Sequence, residues 1–439
     1  MPASSEMPRA VAKEKEMSEG NVNDTRNIDP SVGGTLFERY FTGRHEASSV
    51  APGTFFMTAD YVNLTAFETK DGLLLVDTGM VEAGPKVFEE IRKRTQAPLH
   101  TVVYTHGHLD HAFGLGPWLE AGERPRVIAH ENAVRRFRTY MNTGPLNVHI
   151  NRVQFGIEQD IFWPEKEQDF FWPDTVYRDQ LSLQLGGERF ELRHAMGETD
   201  DATWVWAPER GIVCSGDLWV GILPNCGNPQ KVQRYPEEWA DALEAIASVG
   251  PDLLLPGHGH PIEGADVVRS GCLNTAEALR AIVRQTVDGL NAGGKHEDIL
   301  AVIRVPEHLA GEPYLDALYD RPEFIARNVI RKYGGWWNGF SAQVLPAKMV
   351  DQAGEIVRLA GGAPPLIARA RELALSDPAL ACHLAEWAAL AAPEDRDAQQ
   401  CVIDVFKTRA DAEISLMGRG ILSHAVRKAE KALADLDGK

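Results

Sequence analysis

The chain has few cysteines, no C-x-x-C pair and no long apolar run, and each absence excludes a class of protein. Only five of its 439 residues are cysteines, and they stand far apart in the sequence. An odd set of isolated cysteines indicates a reducing compartment and argues against structural disulfides. An uninterrupted apolar stretch of about 20 residues, which a membrane-spanning helix requires, is also absent. We therefore expect a soluble globular protein.

Positive charge is scarce as well, and this limits the partners of the protein. Sixty-three acidic side chains stand against forty-five basic ones, which gives a formal net charge of −18. Such a chain repels phosphate backbones and anionic membranes, so we expect neither nucleic acid nor a membrane as a partner. The first residues mix charges and lack the apolar segment of a secretory signal. We expect a cytoplasmic protein in which residues 1–30 form a flexible N-terminal segment.

Short strand patterns alternate with helical ones up to about residue 265, and helical patterns follow. The segments "TFFMTA", "VNLTAF" and "LLLVDTG" have the composition of successive strands, and the last ends in a turn that begins at Asp77. Beyond residue 265, Ala and Leu recur at helical spacing. The order predicts sheets covered by helices over residues 31–290 and an all-α domain over residues 291–439.

The segment "THGHLDH" follows an apolar run and concentrates side chains that bind metals. Imidazole nitrogens and carboxylate oxygens suit divalent metals, and zinc above all. His106 and His108 alternate, so they can point the same way from a tight turn, whereas Asp110 and His111 can face a second centre. A loop of surface histidines is the alternative interpretation, but the H-x-H-x-D-H order after a strand favours a two-metal site.

Three further donors lie downstream, and each follows an apolar run and comes directly after a glycine. They are Glu198, Asp217 and His258. A glycine at that position permits a sharp turn that aims the next side chain over the edge of a sheet. Taken singly, the three could be a turn glutamate, a helix-capping aspartate and a loop histidine. Together with the histidine segment they predict a pair of metal sites.

The order of these motifs resembles the metallo-β-lactamase superfamily. "LLLVDTG", "THGHLDH", "GE" followed by "SGD", and "PGHGHP" occur in the order typical of that family, over roughly residues 55–268. Glu198, with a carboxylate nineteen residues later at Asp217, is similar to the alkylsulfatase branch. "VPEHLAGEPYLDALY", "YGGWWNGF" and "RLAGG" resemble the alkylsulfatase dimerisation domain. The resemblance implies an α/β fold, the αββα metallo-β-lactamase sandwich, followed by an all-α dimerisation domain and a homodimer.

The resemblance also implies a complete set of ligands for two divalent metal ions. One ion has two histidines and a glutamate, namely His106, His108 and Glu198. The other has an aspartate and two histidines, namely Asp110, His111 and His258. Asp217 is expected to bridge the ions, and Asp110 and Asp217 are the expected catalytic residues, with Asp110 orienting the attacking water. Zinc is the expected metal, with iron or manganese as alternatives.

Such a centre activates water, so the resemblance implies a hydrolase that acts on a small anionic organic substrate. We expect hydrolysis of organic (alkyl) sulfate esters, with Arg234 gripping the sulfate through two parallel hydrogen bonds. A second arginine that alkylsulfatases would have a few residues earlier is absent, and Asp217 stands where they generally have glutamate. A lactonase or thioesterase on the same fold stays open as an alternative. A non-hydrolytic di-metal or redox scaffold is an alternative of another class.

Overall fold

The computed structural model describes residues 46–157 and 162–438, and its first part contains two β-sheets. The expected flexible N-terminal segment, residues 1–30, lies outside the described residues. The first sheet has seven strands in chain order. They are β1 (Ser48–Ala51), β2 (Thr54–Ala59), β3 (Val62–Thr69), β4 (Gly72–Val76), β5 (Leu99–Val103), β6 (Arg126–His130) and β7 (Thr175–Tyr177). Strands β1 to β4 are antiparallel, and β4 to β7 are parallel.

Six strands form the second sheet, and their spatial order also follows the chain. They are β8 (Gln180–Leu185), β9 (Glu188–Ala195), β10 (Ala202–Ala207), β11 (Ile212–Gly216), β12 (Leu253–Pro256) and β13 (Ile262–Glu263). Neighbours are antiparallel except for β11 and β12. The β8–β9 hairpin turns at Gly186 and Gly187, whose φ angles of 59° and 86° suit glycine.

Five helices lie in the crossover connections that the parallel strands of the first sheet require, and the first four of them pack on its outer face. They are α1 (Gly84–Arg94), α2 (Leu109–Ala112), α3 (Gly116–Glu120), α4 (Glu131–Asn142) and α5 (Gly144–Phe155). Ile91 of α1, Trp118 of α3 and Phe137 of α4 are buried in one apolar cluster with Leu75 of β4. This cluster fixes the connections that carry the histidine segment.

A second helical layer covers the outer face of the second sheet. It consists of α6 (Pro236–Ser248), α7 (Ala265–Asn291), α8 (His296–Val302) and α9 (Pro322–Tyr333). Trp239 and Leu243 of α6 and Leu279 of α7 pack with Leu254 of β12. Proline at the first position of α6 and of α9 matches the fixed φ that a helix start requires.

The two sheets face each other across an apolar core. Phe67 and Leu74 of the first sheet and Phe190 and Leu192 of the second are fully buried in it. The ring centroids of Phe67 and Phe190 are 5.3 Å apart, which joins the sheets directly. Because helices lie on both outer faces, the predicted αββα sandwich is confirmed.

The last part of the chain is helical, as the sequence predicts. It consists of α10 (Met349–Leu359), α11 (Ala363–Leu373), α12 (Pro378–Ala391), α13 (Arg396–Ala412) and α14 (Leu416–Asp437). Ile367, Ala385 and Val405 belong to an apolar core that these helices share. Among the described residues, none of the helices combines the length and the apolar character needed to cross a membrane.

Residues 296–333 pack with the second sheet, and residues 318–321 also contact the region of the last five helices. Ile299, Leu315 and Ile325 lie in the same buried cluster as Trp239. Residues 334–348, which we call the arm, connect the two parts and are mostly exposed. The expected boundary between residues 290 and 291 falls at the end of α7, and it stays a prediction.

Candidate metal centre

The predicted site residues converge where strands of both sheets end. His106 and His108 follow β5, Asp217 directly follows β11, and His258 lies two residues beyond β12. Glu198 lies in the connection between β9 and β10. Four segments that are distant in the sequence therefore meet at one edge of the sandwich, as side chains at the ends of strands are placed to do.

The glycines before the downstream donors have two different physical reasons. Gly216 has a φ of 52°, and a Cβ there would lie 2.7 Å from Cβ of Thr105. A Cβ on Gly257 would lie 2.2 Å from Oδ1 of Asp217, and one on Gly197 would meet a neighbouring side chain at 2.9 Å. The sharp turn expected from the sequence thus applies to Gly216, whereas close approach of neighbouring atoms explains the other two.

Two groups of donors lie side by side, and each could hold a metal ion. The first group consists of His106, His108 and Asp217. The second group consists of Asp110, His111 and His258. Within each group the ligand atoms lie within 4.8 Å of one another. The structure therefore brings together all of the predicted ligands except Glu198, which lies beside them.

Asp217 lies between the two groups. Its Oδ1 is 3.3 Å from Nε2 of His111, and its Oδ2 is 3.4 Å from Nε2 of His258. The same Oδ2 is 3.7 Å from Nε2 of His106, which belongs to the other group. One buried carboxylate thus faces histidines of both groups, which is the position a bridging ligand occupies in two-metal sites.

Glu198 is held by two neighbouring side chains. Its Oε1 accepts hydrogen bonds from Nη1 of Arg234 at 2.5 Å and from Nδ2 of Asn225 at 2.8 Å. The same Nη1 of Arg234 donates to the backbone oxygen of Asn225. The Arg234 side chain is only 3% exposed. The structure thus places Arg234 behind a predicted ligand, and its role as a sulfate contact stays a prediction.

Two acceptors that the sequence did not single out orient the imidazole rings. Oδ2 of Asp77 accepts from Nδ1 of His111 at 2.8 Å, and the backbone oxygen of Tyr61 accepts from Nδ1 of His258 at 2.7 Å. In both rings Nε2 then faces Asp217. Outer partners of this kind fix the tautomer and direction of a ligand. The position of Asp77 directly after β4 was the available signal.

A buried ion pair supports the turn of the histidine segment. Asp201 accepts the backbone N–H of Gly107 at 2.8 Å on Oδ2 and Nε of Arg136 at 3.0 Å on Oδ1. Burial raises the pKa of the Asp201 carboxyl, but Arg136 and the hydrogen bonds outweigh burial and lower it. Asp201 therefore remains charged and stabilises the turn that carries His106 and His108.

Burial and neighbouring charges separate the histidine pKa values. Burial, followed by the charge of His111, lowers the pKa of His106 to about 4, and burial lowers that of His108 well below its usual value. Burial also disfavours the charged form of His111 and His258. Nearby carboxylates, Asp217 first, outweigh it and raise the pKa of His111 to about 10 and that of His258 to about 9. The space around Asp217 therefore attracts positive charge.

The donor set fits divalent cations. Oδ1 of Asp217 is buried, and although Nε2 of His111 lies 3.3 Å away, no described residue donates a well-aligned hydrogen bond to it. A buried carboxylate oxygen of this kind requires a partner, and a metal ion would provide one. Imidazole nitrogens combined with carboxylate oxygens are the donors of zinc and of other borderline divalent ions. The residues present therefore suit a pair of such ions.

A cavity of about 1030 Å³ opens in front of the donor groups. His108 and Asp110 line it, and so do Lys231 and Arg331. Neither of these two cations forms an ion pair with a described residue, and the Arg331 guanidinium donates to neutral oxygens. Burial, followed by the charge of Arg234, lowers the pKa of Lys231 to about 8. Two uncompensated cations in so acidic a chain indicate a site for an anion.

Large apolar side chains surround the mouth of the same cavity. Six of them are between 37% and 69% exposed, namely Tyr61, Val81, Leu146, Phe155, Phe162 and Val232. We call this set the apolar rim. Exposed apolar side chains that cluster around a cavity typically contact a ligand. The cavity therefore suits a molecule with an anionic group and a hydrocarbon part.

Comparison with known families agrees with this geometry. The sequence pattern described as the metallo-beta-lactamase superfamily matches residues 57–258. The pattern described as alkyl sulfatase dimerisation matches residues 295–431. The metallo-beta-lactamase domain thus contains every predicted ligand, from His106 to His258, and the predicted resemblance is confirmed.

Curated relatives of the chain are alkylsulfatases. A linear primary-alkylsulfatase from a Pseudomonas species is 27% identical over 67% of this chain and 60% of its own length. An alkyl/aryl-sulfatase from Saccharomyces cerevisiae is 24% identical over 71% of this chain and 52% of its own length. The chain therefore spans about half to three fifths of the length of these relatives.

A solved structure shares the fold of the metallo-beta-lactamase domain and of the helical region. The stereoselective inverting sec-alkylsulfatase Pisa1 from Pseudomonas sp. superposes with a TM-score of 0.79 and is 19% identical. The match covers 88% of this chain and 65% of that protein. The likeness extends over both predicted parts of the chain, and at this identity it concerns the fold.

Proposed function

We propose that the protein is a metal-dependent hydrolase of organic sulfate esters. The observation that carries the proposal is the position of Asp217 between two donor groups, each rich in imidazole nitrogens. A shared carboxylate between two such groups is typical of two-metal hydrolases. The curated relatives are named alkylsulfatases, which favours a sulfate ester over other substrates.

Two divalent ions are the proposed cofactors, with zinc as the first candidate and iron or manganese as alternatives. The proposed ligands of one ion are His106, His108 and Glu198. Asp110, His111 and His258 would hold the other ion, and Asp217, which faces both donor groups, would serve both. When bound, such ions would supply a more acidic water and positive charge that offsets negative charge at the reacting ester.

Asp110 is the proposed residue that orients the attacking water. Its carboxylate lines the cavity, and its Oδ2 lies 3.5 Å from Nε2 of His258 and 3.7 Å from Nε2 of His111. The side chain is 19% exposed, so a water molecule can reach it. A carboxylate at this position accepts the O–H of the water and directs its lone pair towards the substrate.

The cavity supplies complementary contacts for a sulfate ester. Lys231 and Arg331 provide positive charge that is not neutralised by other described residues, which favours the sulfate group. The apolar rim then covers the organic part. Arg234 forms an ion pair with Glu198 and keeps that carboxylate oriented, and its contact with the sulfate is proposed as an addition to those of Lys231 and Arg331.

A homodimer is the proposed assembly. Residues 295–431 match the alkyl sulfatase dimerisation pattern, and they include the arm. Within the arm, Trp336 is 72% exposed and Leu345 is 89% exposed. Large apolar side chains in such a segment are typical of a contact with another protein surface. A second copy of the chain is the proposed partner.

Metal analysis combined with a substrate screen tests the proposed function. The purified protein is assayed for metal content and for release of inorganic sulfate from octyl sulfate, before and after treatment with a chelator. Sulfate release that stops with the chelator and returns with zinc would support the proposal. Full activity after complete metal removal would contradict it.

Hydrolysis of lactones or thioesters without any sulfate release would favour the lactonase or thioesterase alternative. Bound iron with no ester hydrolysis would favour the redox scaffold.

A further inference from the structure

Gln154 occupies a buried junction between the cavity and the final helix. It lies on α5, is 2% exposed, and belongs to the cavity wall. Its Nε2 donates to the hydroxyl of Tyr319 at 2.9 Å, and its Oε1 accepts from Nδ2 of Asn228 at 3.1 Å. Both ends of the amide therefore form hydrogen bonds, and neither of these bonds is to a proposed metal ligand.

A chain of contacts fixes the direction of these hydrogen bonds. Oδ1 of Asn228 accepts the backbone N–H of Gln230 at 3.0 Å, so its Nδ2 must face Gln154. Gln154 therefore presents its oxygen to Asn228 and its amino group to Tyr319. Because an amino group cannot accept a proton, the phenolic proton of Tyr319 is directed away from α5.

Tyr319 lines the cavity beside the proposed metal centre. Burial, followed by the charge of Glu198, raises the pKa of Tyr319 well above its usual value, and Asp110 and Asp217 act in the same direction. The hydroxyl group therefore keeps its proton at neutral pH. A neutral phenol whose oxygen already accepts from Gln154 is suited to donate its proton to an anionic ligand.

The final helix holds this junction from the other side. The backbone N–H of Met417, on α14, donates to the backbone oxygen of Tyr319 at 3.3 Å. Gly420 packs so tightly against α5 that a Cβ there would lie 2.1 Å from the backbone oxygen of Gln154. Nδ2 of Asn228 also lies 3.0 Å from the sulfur of Met417. The helix α14 thus contacts all three members of the junction.

We propose that Gln154 is a positioning residue that orients the Tyr319 hydroxyl as a hydrogen-bond donor to the anionic group of the substrate. This inference rests on the proposed function, since an anionic ester is the ligand that uses an oriented donor. Close packing of Gly420 fixes α5 and with it the Gln154 amide. The helical region therefore takes part in substrate recognition in addition to its proposed role in assembly.

The variant Gln154→Glu tests the direction of the hydrogen bond. It keeps an acceptor for Asn228 but also presents an acceptor to Tyr319, which draws the phenolic proton towards α5. We expect KM for octyl sulfate to rise about tenfold or more, while kcat and metal content change little. Gln399→Leu is the matched control, because it removes another buried glutamine amide that lies in the helical region. It should leave KM unchanged.

The variant Asn228→Asp should reorient the Tyr319 hydroxyl in the same way without a substitution in α5. A carboxylate at that position needs a donor, so the Gln154 amide turns over and offers its oxygen to Tyr319. Both variants should raise KM, and neither should raise it further in a Tyr319→Phe background, since the group they act through is gone. Additive effects in that background, or a normal KM in both variants, would overturn the inference.

Binding of octyl sulfonate, an anion that cannot be hydrolysed as an ester, separates this inference from the proposed function. Calorimetry measures its affinity for each variant, and circular dichroism verifies folding. If the wild type binds the sulfonate, the two variants lose about tenfold in affinity and this loss disappears in the Tyr319→Phe background, the positioning role stands even where no sulfate ester is cleaved. If the wild type cleaves octyl sulfate and the variants bind the sulfonate normally, the positioning role fails while the proposed function stands.

Discussion

The carboxylate of Asp77 accepts a hydrogen bond from Nδ1 of His111 at 2.8 Å, and it does so from a left-handed backbone position. Asp77 has a φ of 62°, which is uncommon for a residue with a side chain. The backbone N–H and the hydroxyl of Thr105 also donate to this carboxylate, each at 2.7 Å. Three hydrogen bonds offset the cost of the backbone conformation and tie the end of β4 to the histidine segment.

Replacing Asp77 by Asn should weaken metal binding without unfolding the protein. Asparagine tolerates the left-handed region, so the backbone can stay as it is. The negative charge that orients His111 and raises its basicity is lost. We expect the affinity for zinc to fall by about 10- to 100-fold, with activity restored at high zinc concentration. Competition with a chromogenic chelator measures the affinity.

The matched control for this variant is Asp71→Asn, at the other end of β4. The Asp71 carboxylate accepts the backbone N–H of Gly186 at 2.9 Å, so the control also removes a charge that stabilises a turn. It should leave the zinc affinity unchanged. Equal affinities for both variants and the wild type would show that Asp77 does not support the metal centre.

The donors of the candidate site could be predicted because each is marked locally in the sequence. His106 and His108 stand at alternate positions after a strand, and Asp217 follows a glycine at the end of another. The groups that orient them carry no comparable mark. Tyr61 acts through its backbone oxygen, which any residue could supply, and Asp77 was recognised only as a turn residue.

Helix α5 was not predicted, and the physical reason lies in its surroundings. Ile150 lines the cavity, whereas Val153 is buried without lining it. Gly420 of the final helix packs against the same helix at Gln154. Its apolar residues therefore do not form a single stripe of the kind that marks a surface helix. Lys231 was overlooked for a related reason, because a cation becomes notable only when its burial and its lack of an ion pair are known.

Replacing Asp217 by Asn should abolish turnover. The amide is neutral and cannot bridge two cations through two negatively charged oxygens, so at least one ion should be lost from the protein. We expect kcat for octyl sulfate to fall by about a thousandfold or more. Metal analysis and initial rates measure both effects. Near-normal activity with a full complement of metal would contradict the bridging role. Asp266→Asn, in the first turn of α7, serves as the control.

The pH dependence of KM should report on Lys231. Burial and Arg234 lower the pKa of Lys231 to about 8. Its ammonium group is therefore charged below that pH and becomes neutral as the pH rises through it, far below the usual range for lysine. Attraction for a sulfate ester weakens accordingly. We expect KM for octyl sulfate to rise by about 10- to 100-fold between pH 7 and pH 10.

Two variants distinguish Lys231 from other groups that titrate in this range. Lys231→Arg keeps its charge up to pH 10 and should flatten the rise in KM, whereas Lys231→Met should show a high KM throughout. The apolar variant keeps most of the volume of the lysine stem. A wild-type pH profile in the Lys231→Met variant would exclude Lys231 as the source of the pH dependence.

The arm provides a test of the proposed homodimer. Trp336 and Leu345 expose 72% and 89% of their surface, so replacing both by serine removes apolar contact area without leaving a cavity in the monomer. If a second copy covers the arm, the double variant should raise the dissociation constant of the dimer by about 100-fold or more, because buried aromatic side chains dominate interfaces. Sedimentation at a series of protein concentrations measures that constant.

Val176→Ser, the control, removes another exposed apolar side chain, on β7, and should leave the dissociation constant unchanged. A dimer that survives the double variant would place the contact elsewhere, and a wild-type protein that remains monomeric at high concentration would contradict the homodimer itself.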